Sequence, residues 1–270
     1  MAKSSGMLAN DTDTCHGLSL ILPTLDEQES IVEMVHRIFQ TLPHLGELLI
    51  VDDSPTNLIA DLLTEHFWKR VRSEQIRILR REKVPCLIDS LRLGISEAKC
   101  ELIGWMDADL SMPPEMLLQM IHKIALGADV CVASRFLKEG KQKSLFDAKK
   151  DHRLQIALSS AGNWFLSRWY KTQLTDFTSG FIVGKASVLK RVSLRGKYLE
   201  YFPYLLVELL LSGVCVNEVP YEAISRKYGR SKTATSLTAL LGHSTRSAAA
   251  ILSLVRAGYA WPQTASFFRR

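Results

Sequence analysis

The stretch LSLILPTLDEQESIVEMVHRIFQTLPHLGELLIVDD, residues 18–53, sets a pattern that the first half of the chain then repeats. LSLILP (18–23) reads as a buried strand, since it is almost wholly apolar and closes on a proline. Residues 29–40 space their apolar side chains as one face of a helix. ELLIVDD (47–53) is a second strand, ending in two aspartates. The same alternation continues with a helix near 59–68, a strand QIRILR (75–80), a helix over 87–98, a strand ELIGWM (101–106), a helix opened by Pro113-Pro114 and ending near Leu126-Gly127, and a strand DVCVAS (129–134). Strands alternating with helices predict an α/β fold, a mainly parallel sheet with helices on both faces. Ligands of such sheets gather at the carboxyl ends of the strands, where Asp52-Asp53 and Asp107-x-Asp109 fall.

Past Arg135 the pattern changes. Residues 138–151 are rich in Lys and polar side chains and read as a mobile loop. A helix is expected over 154–170, a short strand or turn over 179–184, a helix over 204–211, a strand over 214–219 and a basic loop over 226–232. Two further helical segments, 236–243 and 245–258, form a tail. The polar segment 1–17 has no apolar stretch of a secretory signal and is expected to be a flexible leader. That leaves one domain over 18–232 and a tail over 233–270.

The chain carries a net +6, and residues 221–270 hold eight Lys or Arg against one acid, Glu222. A basic tail beside a near-neutral body suits an anionic partner or is merely a solvated surface. Phosphates, anionic lipid and nucleic acid all meet that description. The five cysteines form no CxxC pair, which argues against a zinc site or a disulfide framework and for a reducing compartment. The longest apolar candidate, 248–261, is too short for a membrane span and contains Arg256. Most of the five tryptophans are expected in the core; Trp164 and Trp169, on a helix with Phe165 and Leu166, alternatively face a membrane. No P-loop, GxGxxG or GxSxG is present.

Asp107 and Asp109, alternate carboxylates just past a strand, suit one hard cation such as Mg²⁺ or Mn²⁺ bridging to substrate phosphates. Asp52 and Asp53 are either turn-capping residues or hydrogen-bond acceptors for a base or ribose. Arg226, Lys227, Arg230 and Lys232 around Gly229 suit a pyrophosphate, or form a solvated loop. Asp176, ahead of Thr178-Ser179-Gly180, points toward a cleft.

Taken in order, these motifs resemble the family-2 glycosyltransferases of GT-A fold, especially the dolichol-phosphate mannose synthase and polyprenyl-phosphate branch. Pro23-Thr24-Leu25-Asp26-Glu27 resembles the first-strand motif that meets the nucleoside, and Val51-Asp52-Asp53-Ser54 resembles Val-Asp-Asp-Gly. Asp107-Ala108-Asp109 with Pro113-Pro114-Glu115 resembles the metal motif. Ser134-Arg135-Phe136, Asp176 to Phe181, and Glu218-Val219-Pro220 with Arg226, Gly229, Ser231 and Lys232 match the later ones. The chain departs from the pattern at Asp26, at Ser54-Pro55, at the usually glycine-rich stretch 83–87, and at Ser111-Met112.

The resemblance implies an inverting, metal-dependent transferase. Its donor would be a GDP- or UDP-sugar, mannose favoured, and its acceptor a polyprenyl or dolichyl phosphate. Asp107 and Asp109 would hold Mg²⁺ or Mn²⁺. Pro23, Thr24, Glu27, Asp52 and Asp53 would meet the nucleoside, and Arg226 and Lys232 the donor phosphates. Ser134, Arg135 and Ser179 would receive the acceptor, with 138–151 closing over it. Asp176 is the candidate base should the acceptor be a hydroxyl. The implied setting is cytoplasmic or peripheral on the cytoplasmic face of a membrane, with a protein partner allowed and no nucleic acid. Two rival readings are a same-fold transferase acting on a saccharide or protein hydroxyl, and a non-catalytic basic membrane-binding module. A nucleotidyltransferase is disfavoured by the absence of an N-terminal GxGxR.

Overall fold

A computed structural model describes residues 17–137, 153–196 and 200–224, with the side chains of 153–159 left out. The leader, the loop 138–151, the basic loop 226–232 and both tail helices expected from sequence lie outside the described residues.

The order of elements is β1 (Leu18–Thr24), α1 (Ile31–Thr41), β2 (Glu47–Asp52), α2 (Leu58–Arg72), β3 (Ile76–Arg80), α3 (Leu87–Glu97), β4 (Leu102–Trp105), α4 (Met116–Ala125), β5 (Val130–Ser134), α5 (Arg153–Trp169), β6 (Ile182–Lys185), α6 (Ala186–Leu189), α7 (Tyr201–Leu211) and β7 (Val216–Pro220). The seven strands form one sheet in the order β3-β2-β1-β4-β6-β5-β7. Every pairing is parallel except those of β6, which runs antiparallel to both β4 and β5.

Alternation along the strands builds two cores. Leu18, Leu20 and Leu22 of β1 and Leu48 and Ile50 of β2 pack with α1, α2 and α4 on one face. Ile21, Leu49, Val51, Ile103 and Trp105 pack with α3 and α7 on the other. Period-two side chains on a sheet covered on both sides require this near-continuous apolarity. Gly94 brings α3 down onto β1: a Cβ there would lie 2.6 Å from Ile21 Cγ2.

Most expected elements are present with ends shifted by one to three residues. Helix α2 runs on to Arg72 through a kink at Phe67 (φ −130°, ψ 31°), with the Arg70 guanidinium 3.8 Å from the centre of the Phe39 ring. Helix α7 starts at Tyr201 and holds Pro203 in its first turn, where a missing N–H costs no helical hydrogen bond. The one-turn α6 had no sequence signal. Of the four described tryptophans only Trp105 is core; Trp68, Trp164 and Trp169 are exposed, against the expectation from sequence.

At the amino end of the sheet, buried Glu47 accepts from Ser19 Oγ (2.7 Å), Lys99 N (2.6 Å) and Arg77 Nη1 (2.9 Å). Burial alone would raise its carboxyl; these donors outweigh it and hold it below its usual 4.5. A depressed carboxyl stabilises the fold above the ordinary carboxylate range and loses that contribution as pH falls through the folded value. Glu47→Gln is expected to lower unfolding free energy by about 1–3 kcal/mol at neutral pH, and urea titrations should show the gap closing in acid. Gly94→Ala is expected to be destabilising as well. Overpacking against Ile21 costs about 1–3 kcal/mol, more than the roughly 0.5–1 kcal/mol that alanine returns in a helix.

Candidate active site

The parallel strands present their carboxyl ends along one edge of the sheet. Because β6 runs the other way, its amino end lies on that same edge. Pro23-Thr24, Asp52-Asp53, Asp107 to Asp109, Ser134-Arg135 and Asp176 to Ser179 therefore meet there, although they come from five separate stretches of sequence.

On the β1–β3 side lies an open cavity of ≈ 610 Å³, lined by Asp26, Asp53, Ser54, Arg80, Arg81 and Lys83 among others. Asp52 is fully buried beside it. Its Oδ1 accepts from Thr24 Oγ1 (3.0 Å), Ser54 N (3.0 Å) and Ser54 Oγ (2.5 Å), while Oδ2 is buried with no hydrogen-bond partner among the described residues. Ser54, where the family pattern has glycine, also accepts from Asp26 N (2.9 Å) and so ties the first motif to the second. Asp26 sits at φ 54°; Asn and Asp tolerate this left-handed conformation, so the exchange of Asn for Asp leaves the turn intact. Glu27 uses its carbonyl to start the turn into α1, accepting from Ser30 N (3.1 Å) and Ile31 N (3.0 Å).

Asp53 faces the cavity with its oxygens already engaged. Arg81 Nη1 reaches both, at 2.6 and 2.7 Å, and Oδ2 also accepts from Ser90 Oγ (2.7 Å) and Cys86 N (3.1 Å). This latch pins the non-glycine stretch 83–86 and the start of α3 against the end of β2. It accounts for a wall of the cavity built without the family's glycines.

The Asp107–Asp109 motif forms a tight turn. Asp109 is buried and its Oδ1 accepts from Ser111 N (3.0 Å); the half-buried Asp107 donates its own N–H to Met112 Sδ (3.3 Å). Ser111 and Met112, the departures from the family pattern, thus hold the turn. Leu110 follows at φ +66°, a strained conformation for a leucine. Among the described residues no three His, Cys, Asp or Glu cluster as metal ligands. Two carboxylates two residues apart are oxygen donors of the kind that suits Mg²⁺ or Mn²⁺.

Beside this turn stands a buried ion pair. Arg135 grips Asp176 bidentately, Nε to Oδ2 at 2.8 Å and Nη2 to Oδ1 at 3.0 Å, and donates its backbone N–H to Oδ2 at 3.1 Å. Thr178 adds its N–H and its hydroxyl to Oδ1, both at 2.9 Å. Burial pushes the Asp176 carboxyl up, but Arg135 and these donors prevail and hold it below the ordinary range. The same partner raises Arg135 further above its usual value in spite of burial. A carboxylate that accepts from five donors anchors the guanidinium. The Asp107 carboxylate is near enough to act on Arg135, Tyr201 and Tyr221, which joins the metal motif to the pair. Tyr221, a hydrogen-bond partner of Ser179, has its phenol pushed up to about 12 by burial.

Ser134, expected at the acceptor, is fully buried. Its Oγ pairs with Thr175 Oγ1 (2.7 Å) and accepts from Phe136 N (3.1 Å) and Leu137 N (3.0 Å), so it shapes the chain leaving β5. Arg226 and Lys232 lie outside the described residues. Three residues given no role from sequence complete the cluster. Glu218 of β7 binds the Thr175-Asp176 backbone, Thr175 links it to Ser134, and Asn163 of α5 accepts from Phe177 N (3.0 Å). Burial raises the Glu218 carboxyl, partly offset by those hydrogen bonds. The place of Glu218 in the Glu218-Val219-Pro220 motif was the available signal.

Residues 19–195 match the model of glycosyl transferase family 2. The dolichol-phosphate mannosyltransferase of Pyrococcus furiosus is 29% identical over 221 residues, covering 80% of this chain and 58% of that protein. The dodecaprenyl-phosphate galacturonate synthase of Rhizobium johnstonii is 25% identical, over 85% of this chain and 65% of its own length. The polyprenol monophosphomannose synthase of Mycolicibacterium smegmatis is 24% identical, over 80% of this chain and 81% of its own length. The chain thus spans roughly three fifths of the first two relatives. Among solved structures, glucosyl-3-phosphoglycerate synthase of Mycobacterium tuberculosis, in complex with Mn²⁺, UDP and phosphoglyceric acid, superposes with a TM-score of 0.64 at 15% identity, over 91% of this chain and 81% of that one; at this identity the likeness speaks to the GT-A fold. With residues 19–195, more than half of the chain, matched to the family model, the chain belongs to glycosyl transferase family 2.

Proposed function

We propose that this chain transfers a sugar, with mannose favoured, from a GDP- or UDP-sugar to a polyprenyl or dolichyl phosphate, with inversion at the sugar carbon. The observation that carries this reading is the Arg135–Asp176 pair beside Asp107. A locked, permanently charged guanidinium suits a phosphate nucleophile, which arrives already ionised because its second pKa is about 6. A hydroxyl acceptor would need a base, and the saturated Asp176 is a poor one. The Pyrococcus and Mycolicibacterium relatives are named for mannose and for dolichol or polyprenol. The non-catalytic reading has no support in a chain of a transferase family.

Asp107 and Asp109 would hold Mg²⁺ or Mn²⁺, whose charge offsets that of a departing nucleoside diphosphate. Thr24, Asp52 and the cavity beside them would seat the nucleoside, and the unsatisfied Asp52 Oδ2 is an acceptor in want of a donor. Arg226 and Lys232 stay assigned to the donor phosphates from sequence. A peripheral membrane setting is favoured by the outer face of α5. There Trp164 (69% exposed), Phe165 (36%) and Trp169 (38%) cluster, with Phe165 and Trp169 stacked at 5.7 Å and the exposed Arg168 alongside. No helix among the described residues is long and apolar enough to cross a membrane.

The direct test incubates the protein with GDP-mannose, UDP-glucose and other nucleotide sugars, Mn²⁺ or Mg²⁺, and a polyprenyl phosphate, with products read by mass spectrometry. The expected product is the acceptor plus one sugar, abolished by chelation. Asp107→Asn should cut turnover by at least about a hundredfold. Sugar appearing instead on a saccharide or a protein hydroxyl would refute the reading. The pH profile separates anchor from base. The rate should rise through about pH 6 as the acceptor phosphate ionises and then level off. Asp176→Asn should lower the whole curve by releasing Arg135, yet leave that midpoint in place; a midpoint that moves or vanishes would make Asp176 the base.

A further inference from the structure

Glu218 stands behind the ion pair and touches none of the groups assigned to donor, metal or acceptor. Its Oε1 accepts from Thr175 N and Asp176 N, each at 2.9 Å, and its Oε2 from Thr175 N at 2.9 Å and Thr175 Oγ1 at 3.0 Å. With Glu218 ionised the carboxylate only accepts, and that sets the direction of the further hydrogen bonds. Thr175 must donate to Glu218, which leaves its oxygen to accept from Ser134 at 2.7 Å. Ser134 must then donate to Thr175, and its lone pairs are left for Phe136 N and Leu137 N. One arm from Glu218 thus runs through Asp176 to the Arg135 guanidinium. The other runs through Thr175 and Ser134 to the backbone that leaves β5.

We propose that Glu218 is a positioning residue for sugar transfer, holding the Thr175-Asp176 backbone and the Ser134 hydroxyl so that Arg135 and the chain after it keep one fixed geometry at the acceptor side. The proposal rests on the reading of Arg135 as the acceptor's phosphate receptor. Its mechanical part, control of Arg135, stands or falls separately. Among the described residues strand β7 is the edge strand of the sheet, paired with β5. A side chain there that fastens a segment from across β5 does more than its own strand requires.

Glutamine is the sharp test. Thr175 N lies 2.9 Å from both oxygens of Glu218, so either orientation of a Gln amide sets its NH₂ against a backbone N–H. In Glu218→Gln, Arg135 should be labelled by phenylglyoxal severalfold faster than in wild type, read by peptide mass spectrometry on the full chain. Nucleoside diphosphate affinity should be unchanged, since the β1–β3 cavity is untouched, and turnover should fall about tenfold to a hundredfold. Labelling and turnover at wild-type rates would overturn the proposal. So would loss of nucleotide binding in step with melting, which would make Glu218 a fold-stability residue. Thr175→Val, which removes only the hydroxyl relay, should slow transfer while sparing nucleotide binding, and wild-type transfer in that variant would overturn the second arm. If the wild-type protein transfers no sugar to any polyprenyl phosphate, the proposed function fails, and the labelling comparison still decides whether Glu218 sets Arg135.

Discussion

A carboxylate buried as completely as Asp176 must have its charge answered from every side, or the fold bears several kcal/mol of desolvation (roughly, by general experience of buried ions). Arg135 and Thr178 supply the answer. Those residues have to be held in turn: Arg135 sits at the end of β5, and the loop carrying Asp176 is fastened to β7 by Glu218 and to α5 by Asn163. One electrostatic requirement therefore couples β5, β7 and α5 at this edge. The result is a guanidinium held in one place beside the Asp107 turn, preorganised toward an anionic group.

The other half of the edge obeys a different constraint. Strands β1 and β2 are covered on both faces, so apolar side chains fill their middles and polar ones gather at the ends, Ser19 and Glu47 at the amino end and Thr24 and Asp52 at the carboxyl end. Thr24, Asp52 and Ser54 satisfy one another there, and Asp53 is spent on Arg81. What is left over among the described residues is Asp52 Oδ2 and Arg80 Nε, both buried without a hydrogen-bond partner, and Arg80 lines the open cavity. The two halves differ accordingly. The Arg135–Asp176 half is saturated with hydrogen bonds; the β1–β3 half keeps buried polar atoms without a partner among the described residues.

The departures from the family pattern find physical explanations in these contacts. Asp26 adopts a left-handed turn that asparagine also tolerates, Ser54 adds a hydroxyl bridge in place of a glycine, and Met112 accepts an amide hydrogen through sulfur. Each preserves the local backbone by a different chemical means.

The strands, the helices packed on them and the family were legible in the sequence, because burial on both faces of a sheet imposes apolar runs of fixed length, and because the motifs stand in a fixed order. Burial of Trp105 followed from the same rule, whereas exposure of Trp164 and Trp169 did not, since an aromatic stripe at helical spacing looks alike whether it meets core or solvent. Only the tertiary structure decided how the late motif reaches the early ones: β6 is antiparallel, so Asp176 approaches the edge from the opposite chain direction. It alone also decided which carboxylates are engaged. Asp52, Asp53 and Asp176 are the same residue type at similar strand ends, and their roles diverge because Arg81 and Arg135, distant in sequence, lie within hydrogen-bond reach of two of them while the third keeps an oxygen without a partner.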